Sequence, residues 1–243
     1  MTKKIFYLQF SIILLIFVFP PIFVQKSSDL QVDFSRLNYF SALNLLLGLF
    51  LLLQKRAREE EAGEKSPRSK FLKALSFSSV FLLCFGSLLL CGILFWFLKK
   101  FFEPESAGAI LPKNLGGWAS CAFLLLSGVV FEESLCRWYL PAAFSAAARD
   151  FLRAKNSAKP AAGLGENEPS CGKKTLAAAC FSEAVAVVLF ALAHRWQGLF
   201  AVLNALFAAV ILRLSAKKAK SLVPGILAHL LYNAASLALA AAF

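Results

Sequence analysis

ALSFSSVFLLCFGSLLLCGILFWFL, residues 74–98, is a run of 25 positions without one charged side chain. An α-helix rises about 1.5 Å per residue, so roughly 20 apolar residues cross the ~30 Å hydrocarbon layer of a bilayer. The run is long enough to span, and its Phe and Leu residues surround the helix instead of forming one stripe. We read it as a transmembrane helix.

Six more apolar runs lie around it: Ile5–Val24, Leu37–Leu53, Trp118 to about Ala148, Leu176–His194, Gly198–Leu212 and Leu222–Phe243. The first follows Lys3 and Lys4 and closes with Phe19-Pro20-Pro21. It is longer than the core of a signal peptide and lacks a small-residue cleavage site, so we read it as an uncleaved span. Composition agrees with this: 59% of the chain is hydrophobic and 16% charged, against roughly 25% charged in a soluble domain. A soluble protein would have to expose much of that apolar surface to water. The expected fold class is all-α, a polytopic integral membrane protein of about seven transmembrane helices (six to eight), with residues 1–243 forming a single membrane domain.

The net charge of +12 could suggest a nucleic-acid partner. The basic residues, however, fall between the apolar runs, where membrane topology accounts for them. With the N-terminus in the cytoplasm and seven spans, the inner segments hold 19 Lys and Arg and the outer segments 6, with Arg137 inside the fourth span. Trp96, Trp118 and Trp196 then fall together at the outer interface, as an aromatic belt does. The expected partner is a lipid bilayer and no nucleic acid, and the expected location is the cell (inner) membrane. Gln54–Lys70 and Lys155–Lys174 read as hydrophilic connections, with Glu59–Glu61 a solvated face and the second segment a mobile loop. Five of the six Cys lie in apolar runs and read as small buried hydrophobes.

Charge inside an apolar run costs about 2.5–3.5 kcal/mol per residue on insertion scales, so each instance requires a reason. Glu132, Glu133 and Arg137 sit in the fourth run, and the chain's only two His, His194 and His229, lie at or inside apolar segments. Glu133 and Arg137 are four apart on one helix face with the acid N-terminal, the favourable order for an ion pair. Glu132 is rotated about 100° away, so one carboxylate is neutralised and the other left available. His229 and Asn233 share a face in the same way, as do Phe190 and His194. Taken singly, the charged trio reads as a structural ion network and each His as an interhelical hydrogen bond. Glu183 reads as an interfacial residue, and Phe190 as packing behind His194. There is no G-x-S-x-G, P-loop or G-x-G-x-x-G, so serine-hydrolase, nucleotide and dinucleotide chemistry have no foothold.

Together, Glu132-Glu133-x-x-x-Arg137, Phe190-x-x-x-His194 and His229-x-x-x-Asn233 resemble the three ordered motifs of the CPBP family, the CAAX proteases and bacteriocin-processing proteins. These are intramembrane endopeptidases related to the CAAX prenyl endopeptidases. Val223-Pro224-Gly225-Ile226-Leu227-Ala228 leads into His229 as in many members. The resemblance covers residues 118–243 as a motif-bearing catalytic core, whereas the first three spans, residues 1–98, match only as membrane helices. Trp138 stands where the family commonly has Gly, which bears on local packing and on no catalytic group.

The resemblance implies a CAAX-protease-like helical bundle that hydrolyses a peptide bond near the cytoplasmic face. Glu132 would be the general base on a water, aided by His194, with His229 and Asn233 donating to the oxyanion. Glu133, Arg137 and Phe190 would be structural or orienting residues. Implied substrates are hydrophobic or lipid-modified peptides, or peptide precursors such as bacteriocins. No cofactor is expected, although Glu132, His194 and His229 offer a possible set of ligands for a divalent metal such as zinc. There is no H-E-x-x-H helix, and spacing alone gives that set no support. Two other readings stand beside this one. A catalytically silent member would act as an immunity or scaffold protein. A proton-coupled transporter would be expected to show inverted repeats or paired broken spans, and neither is visible.

Depth poses one difficulty. Glu132 lies about 21 Å below Trp118 and His229 about 10 Å above Leu222, which agree, but His194 lies about 27 Å from Leu176. Either the fifth helix enters the membrane near Glu183, or the segment after His194 is re-entrant.

Overall fold

The computed structural model describes residues 3–24, 32–35, 38–61, 70–102, 109–157 and 170–242. Among them run seven helices: α1 (Lys3–Phe23), α2 (Tyr39–Glu61), α3 (Lys70–Phe102), α4 (115–157), α5 (Ser170–Leu192), α6 (Leu199–Ala219) and α7 (Val223–Ala242). α1, α2, α4, α6 and the Ser76–Phe102 part of α3 are long and apolar enough to cross a membrane, while α5 and α7 carry shorter apolar stretches, Leu176–Leu192 and Val223–Leu239. Two-residue strands β1 (Val32–Asp33) and β2 (Ala109–Ile110) pair in parallel. They leave the all-α class unchanged.

Several boundaries differ from the sequence reading. The fourth run is one helix over 115–157, and the charges at 132–137 do not interrupt it. What they accompany is a π-helical stretch, Leu135–Tyr139, shortly before Pro141. α1 has the same pattern, with Leu14–Val18 π-helical ahead of Pro20 and Pro21. A proline has no N–H for the carbonyl four residues back, and a widened turn is one way a helix absorbs that loss. The sixth run extends to Ala219, so it is a full span rather than a short one. α2 continues to Glu61 because Lys55–Glu59 and Arg56–Glu60 pair at i,i+4, so Glu59–Glu61 is a helical face and no loop. The remainder of that connection, 62–69, and residues 158–169 of the second connection lie outside the described residues.

Around α6 the interior is rich in small side chains, as expected where lipid gives no hydrophobic drive between helices and close backbone approach must supply the attraction. On α6, Ala205, Ala208, Ala209, Leu212 and Ser215 are buried at helical spacing. Ala208 and Leu212 pack with Cys84 and Leu88 of α3 and Ala228 of α7. A second cluster joins Phe10, Ile13 and Val18 of α1 to Leu135, Tyr139 and Leu140 of α4 and Phe190 of α5. The outer faces are apolar as well, with Leu90 76% and Leu46 66% exposed, as lipid contact allows.

A close approach of two backbones lies beside the charged stretch. A Cβ on Gly48 of α2 would sit 2.9 Å from both Cα and N of Phe131 on α4. Backbone cannot step aside as a side chain can, so α2 and α4 would have to separate at the residue before Glu132. Gly48→Ala is expected to destabilise the protein by about 1–3 kcal/mol, read as a lowered unfolding midpoint in detergent.

Polar ties gather at one end of the bundle. Lys3 and Tyr7 of α1 reach Asp150 near the end of α4, at 3.2 and 3.1 Å. Glu183 of α5 pairs with Arg213 (3.0 Å) and Lys217, both of α6.

Candidate functional site

α4 carries the acidic pair. Glu133 and Arg137 are both essentially sealed, with side chains 1% exposed, and Arg137 Nη2 lies 3.5 Å from Glu133 Oε1. Glu132, one residue earlier, keeps its side chain 31% exposed. The 100° rotation anticipated from the sequence thus has a structural consequence: one carboxylate is locked in the protein and the other is reachable.

α7 brings His229 against both. Its Nδ1 is 3.0 Å from Glu133 Oε1, and its Nε2 is 3.8 Å from Glu132 Oε2. An ionised carboxylate only accepts, so Nδ1 carries the hydrogen in this contact and Nε2 is the nitrogen turned toward Glu132. Glu133 therefore does more than pair with Arg137, since it also fixes the imidazole. Gly225, one turn before His229, packs on the same carboxylate: a Cβ there would sit in ordinary contact, 3.5 Å from Glu133 Oε2. Tyr232 steadies the same helix. Its ring fills the space a Gly92 side chain would need, and its hydroxyl accepts from Asn204 Nδ2 at 2.8 Å. Asn233 follows on α7, half-buried and one turn beyond His229.

α5 supplies the third motif. Phe190 is 4% exposed and works as a hub. The Arg137 guanidinium lies over its ring at 4.2 Å, with the His194 ring at 4.8 Å and the His229 ring at 6.5 Å. The sequence reading gave it a place behind His194 only. A desolvated cation–π contact of this kind is worth about 2 kcal/mol. His194 sits in the turn after α5, with Nδ1 2.9 Å from the Phe190 carbonyl. A carbonyl only accepts, so Nδ1 is again the N–H, and Nε2 of the neutral ring keeps its lone pair. Gly198, at φ 105°, turns the chain into α6, a conformation that disfavours other residues.

Glu183 bears on the depth of His194. Its ion pairs with Arg213 and Lys217 tie it to the end of α6 just before the turn into α7. Measured from there, His194 is about 16 Å up the helix rather than 27 Å. α6 itself is an unbroken helix of 21 residues.

Glu132, Glu133, Arg137, Phe190 and His229 are thus brought together, His194 joins through Phe190, and Asn233 stands one turn away on α7. Among the described residues, no three His, Cys, Asp or Glu side chains converge as metal ligands. Glu132, His194 and His229 do not meet as a ligand set here, and we derive no step through a metal. Trp138, in place of the expected Gly, is half-buried with the Arg58 guanidinium of α2 5.6 Å above its ring. Two contributors escaped the sequence reading. The bond from His229 to Glu133 links positions 96 apart, beyond any spacing rule. Arg213 donates from Nη1 to the Arg137 carbonyl at 2.5 Å, and Pro141, four residues after Arg137, was the available signal.

A family model described as Type II CAAX prenyl endopeptidase Rce1-like matches residues 114–235, half of the chain. No curated protein and no solved structure matches. The matched segment contains all three motifs and begins at Asn114, which caps α4 by accepting from Gly117 N.

Proposed function

The chain belongs to the type II CAAX prenyl endopeptidase Rce1-like family, a protease family of the membrane, and on that premise we propose an intramembrane endopeptidase that uses Glu132 to activate water. The observation that carries this reading is Glu132 Oε2 at 3.8 Å from His229 Nε2, with the other face of that imidazole anchored on Glu133. A water seated to one side of this pair, about 2.8 Å from each atom, would touch both.

In this reading Glu132 takes a proton from the water, and the hydroxide oxygen bonds to the carbonyl carbon of the scissile peptide. His194, with Nε2 free, helps orient that water. The carbonyl oxygen becomes an oxyanion, and His229 Nε2 and the Asn233 carboxamide donate to it. For Nε2 to donate, the His229 ring must carry hydrogens on both nitrogens, and Glu133 opposite Nδ1 is the counter-charge such a ring needs. The C–N bond then breaks, and Glu132 returns its proton to the leaving nitrogen, giving an acid and an amine. Glu132 has this role rather than Glu133 because its side chain is 31% exposed, whereas that of Glu133 is sealed against Arg137 and His229.

Residues 118–243 form the catalytic part of a single membrane domain, and the N-terminus lies in the cytoplasm of a cell (inner) membrane. The charge distribution between the spans supports that orientation. The substrate is a hydrophobic or lipid-modified peptide cut near the cytoplasmic face.

The test is cleavage by purified protein in lipid nanodiscs of a peptide with a prenylated C-terminal cysteine followed by three residues, beside the same peptide without lipid. Loss of the terminal tripeptide from the lipidated peptide, unchanged by chelator, is expected in the mass spectrum. If neither peptide is cut, the reading is contradicted; if chelator stops the reaction, water activation by Glu132 alone is.

A further inference from the structure

An ideal α-helix would satisfy the Arg137 carbonyl with the N–H of residue 141, and that residue is Pro141, which has none. The carbonyl lies within the π-helical stretch Leu135–Tyr139, one turn from the Glu133 carboxylate that holds His229. The donor comes from a different helix. Arg213 Nη1 of α6 meets the Arg137 carbonyl at 2.5 Å, while Nη2 of the same guanidinium meets Glu183 of α5 at 3.0 Å. A cavity of about 240 Å³ adjoins the contact, lined by Arg137, Trp138, Pro141, Ser145, Glu183 and Arg213 among others.

We propose that Arg213 is a positioning residue that stands in for the amide hydrogen Pro141 lacks, holding the proline break of α4 in the register that aims Glu133 at His229 and lays Arg137 over Phe190. The fork of a guanidinium suits this task. One arm makes a charge-assisted bond to the carbonyl, and the other fixes the arm itself through Glu183. In the absence of Arg213 the cavity admits water, which satisfies the carbonyl but ties it to no neighbouring helix. The Leu135–Tyr139 stretch would then be free to relax, and a shift of about 1 Å in a catalytic group costs up to 10²-fold in rate. Only the activity arm of this inference rests on the proteolytic reading above.

A substitution at the proline discriminates this role from a plain ion pair. Pro141→Ala restores an N–H at position 141 and should make Arg213 dispensable. Arg213→Ala is expected to lower kcat about 10-fold or more with KM nearly unchanged, and Arg213→Ala with Pro141→Ala to recover most of the loss. Glu183→Gln keeps an oxygen that accepts from Arg213 Nη2 and so keeps the arm in place while removing the charge; it should stay close to wild type. An activity-independent readout accompanies these. The chain has two His, so a ¹⁵N-histidine spectrum resolves two imidazoles, and the Nδ1–H signal of His229 reports its bond to Glu133. That signal should move in Arg213→Ala and return in the double variant, whether or not any peptide is cleaved. If Arg213→Ala alone fails to fold, recovery of a folded protein in the double variant is the same result. Failure of Pro141→Ala to restore either signal or fold overturns the proposal, and so does a Glu183→Gln variant that behaves like Arg213→Ala.

Discussion

Glu132→Gln is expected to reduce peptide cleavage by about 10²–10⁴-fold while leaving the unfolding midpoint close to wild type. Glutamine preserves the shape of the side chain but cannot accept the proton of the attacking water. Glu132 makes no ion pair with Arg137, and its side chain is 31% exposed, so the interior does not depend on its charge as it depends on that of Glu133. Its 3.8 Å contact with His229 lies beyond hydrogen-bond length, so little structural stabilisation is lost. Single-turnover cleavage and thermal unfolding on one preparation check both halves. A variant that is inactive because it is unfolded would show the protein depending on Glu132 for structure, against the placement of this residue as the reachable base.

Arg137→Ala is expected to do the opposite, lowering stability by about 3–5 kcal/mol, because it leaves Glu133 as a buried carboxylate without its guanidinium. The cation–π contact with Phe190 disappears too, opening the wall shared by His194 and His229. Arg137→Lys should recover little, since an ammonium offers neither the planar face that lies on Phe190 nor the same reach to Glu133. Denaturant unfolding in detergent micelles gives the size of the effect, and activity should fall in proportion to the folded fraction. An Arg137→Ala protein as stable as wild type would mean that Glu133 does not carry its charge in the interior.

Much of this molecule could be read from its amino acids because a bilayer imposes simple length rules. An apolar run near 20 residues has few alternatives to a spanning helix, so all seven helices were anticipated. Their ends were not, since the rules concern hydrocarbon: α2 and α4 continue beyond it on ion pairs and polar turns that apolarity does not report. Within one helix, the relation of Glu133 to Arg137 followed from rotation per residue. Between helices it did not. That His229 would seat its Nδ1 on Glu133 depends on how α7 docks in the bundle, where Tyr232 packs on Gly92 of α3 and accepts from Asn204 of α6, contacts no periodicity displays. The depth of His194 had two solutions on apolarity alone, and the ion pairs that tie Glu183 to the end of α6 are contacts apolarity does not display. Pro141 was legible as a missing donor, and only coordinates could reveal Arg213 as its replacement.

The most direct trial of a water-activating glutamate is a comparison of peptide termini in membranes from cells lacking the gene, complemented by wild type or by Glu132→Ala. A set of new C-termini present only with wild type, and lost alike in the deletion and the point variant at equal protein level, is the predicted outcome. Termini that persist unchanged with Glu132→Ala would contradict it.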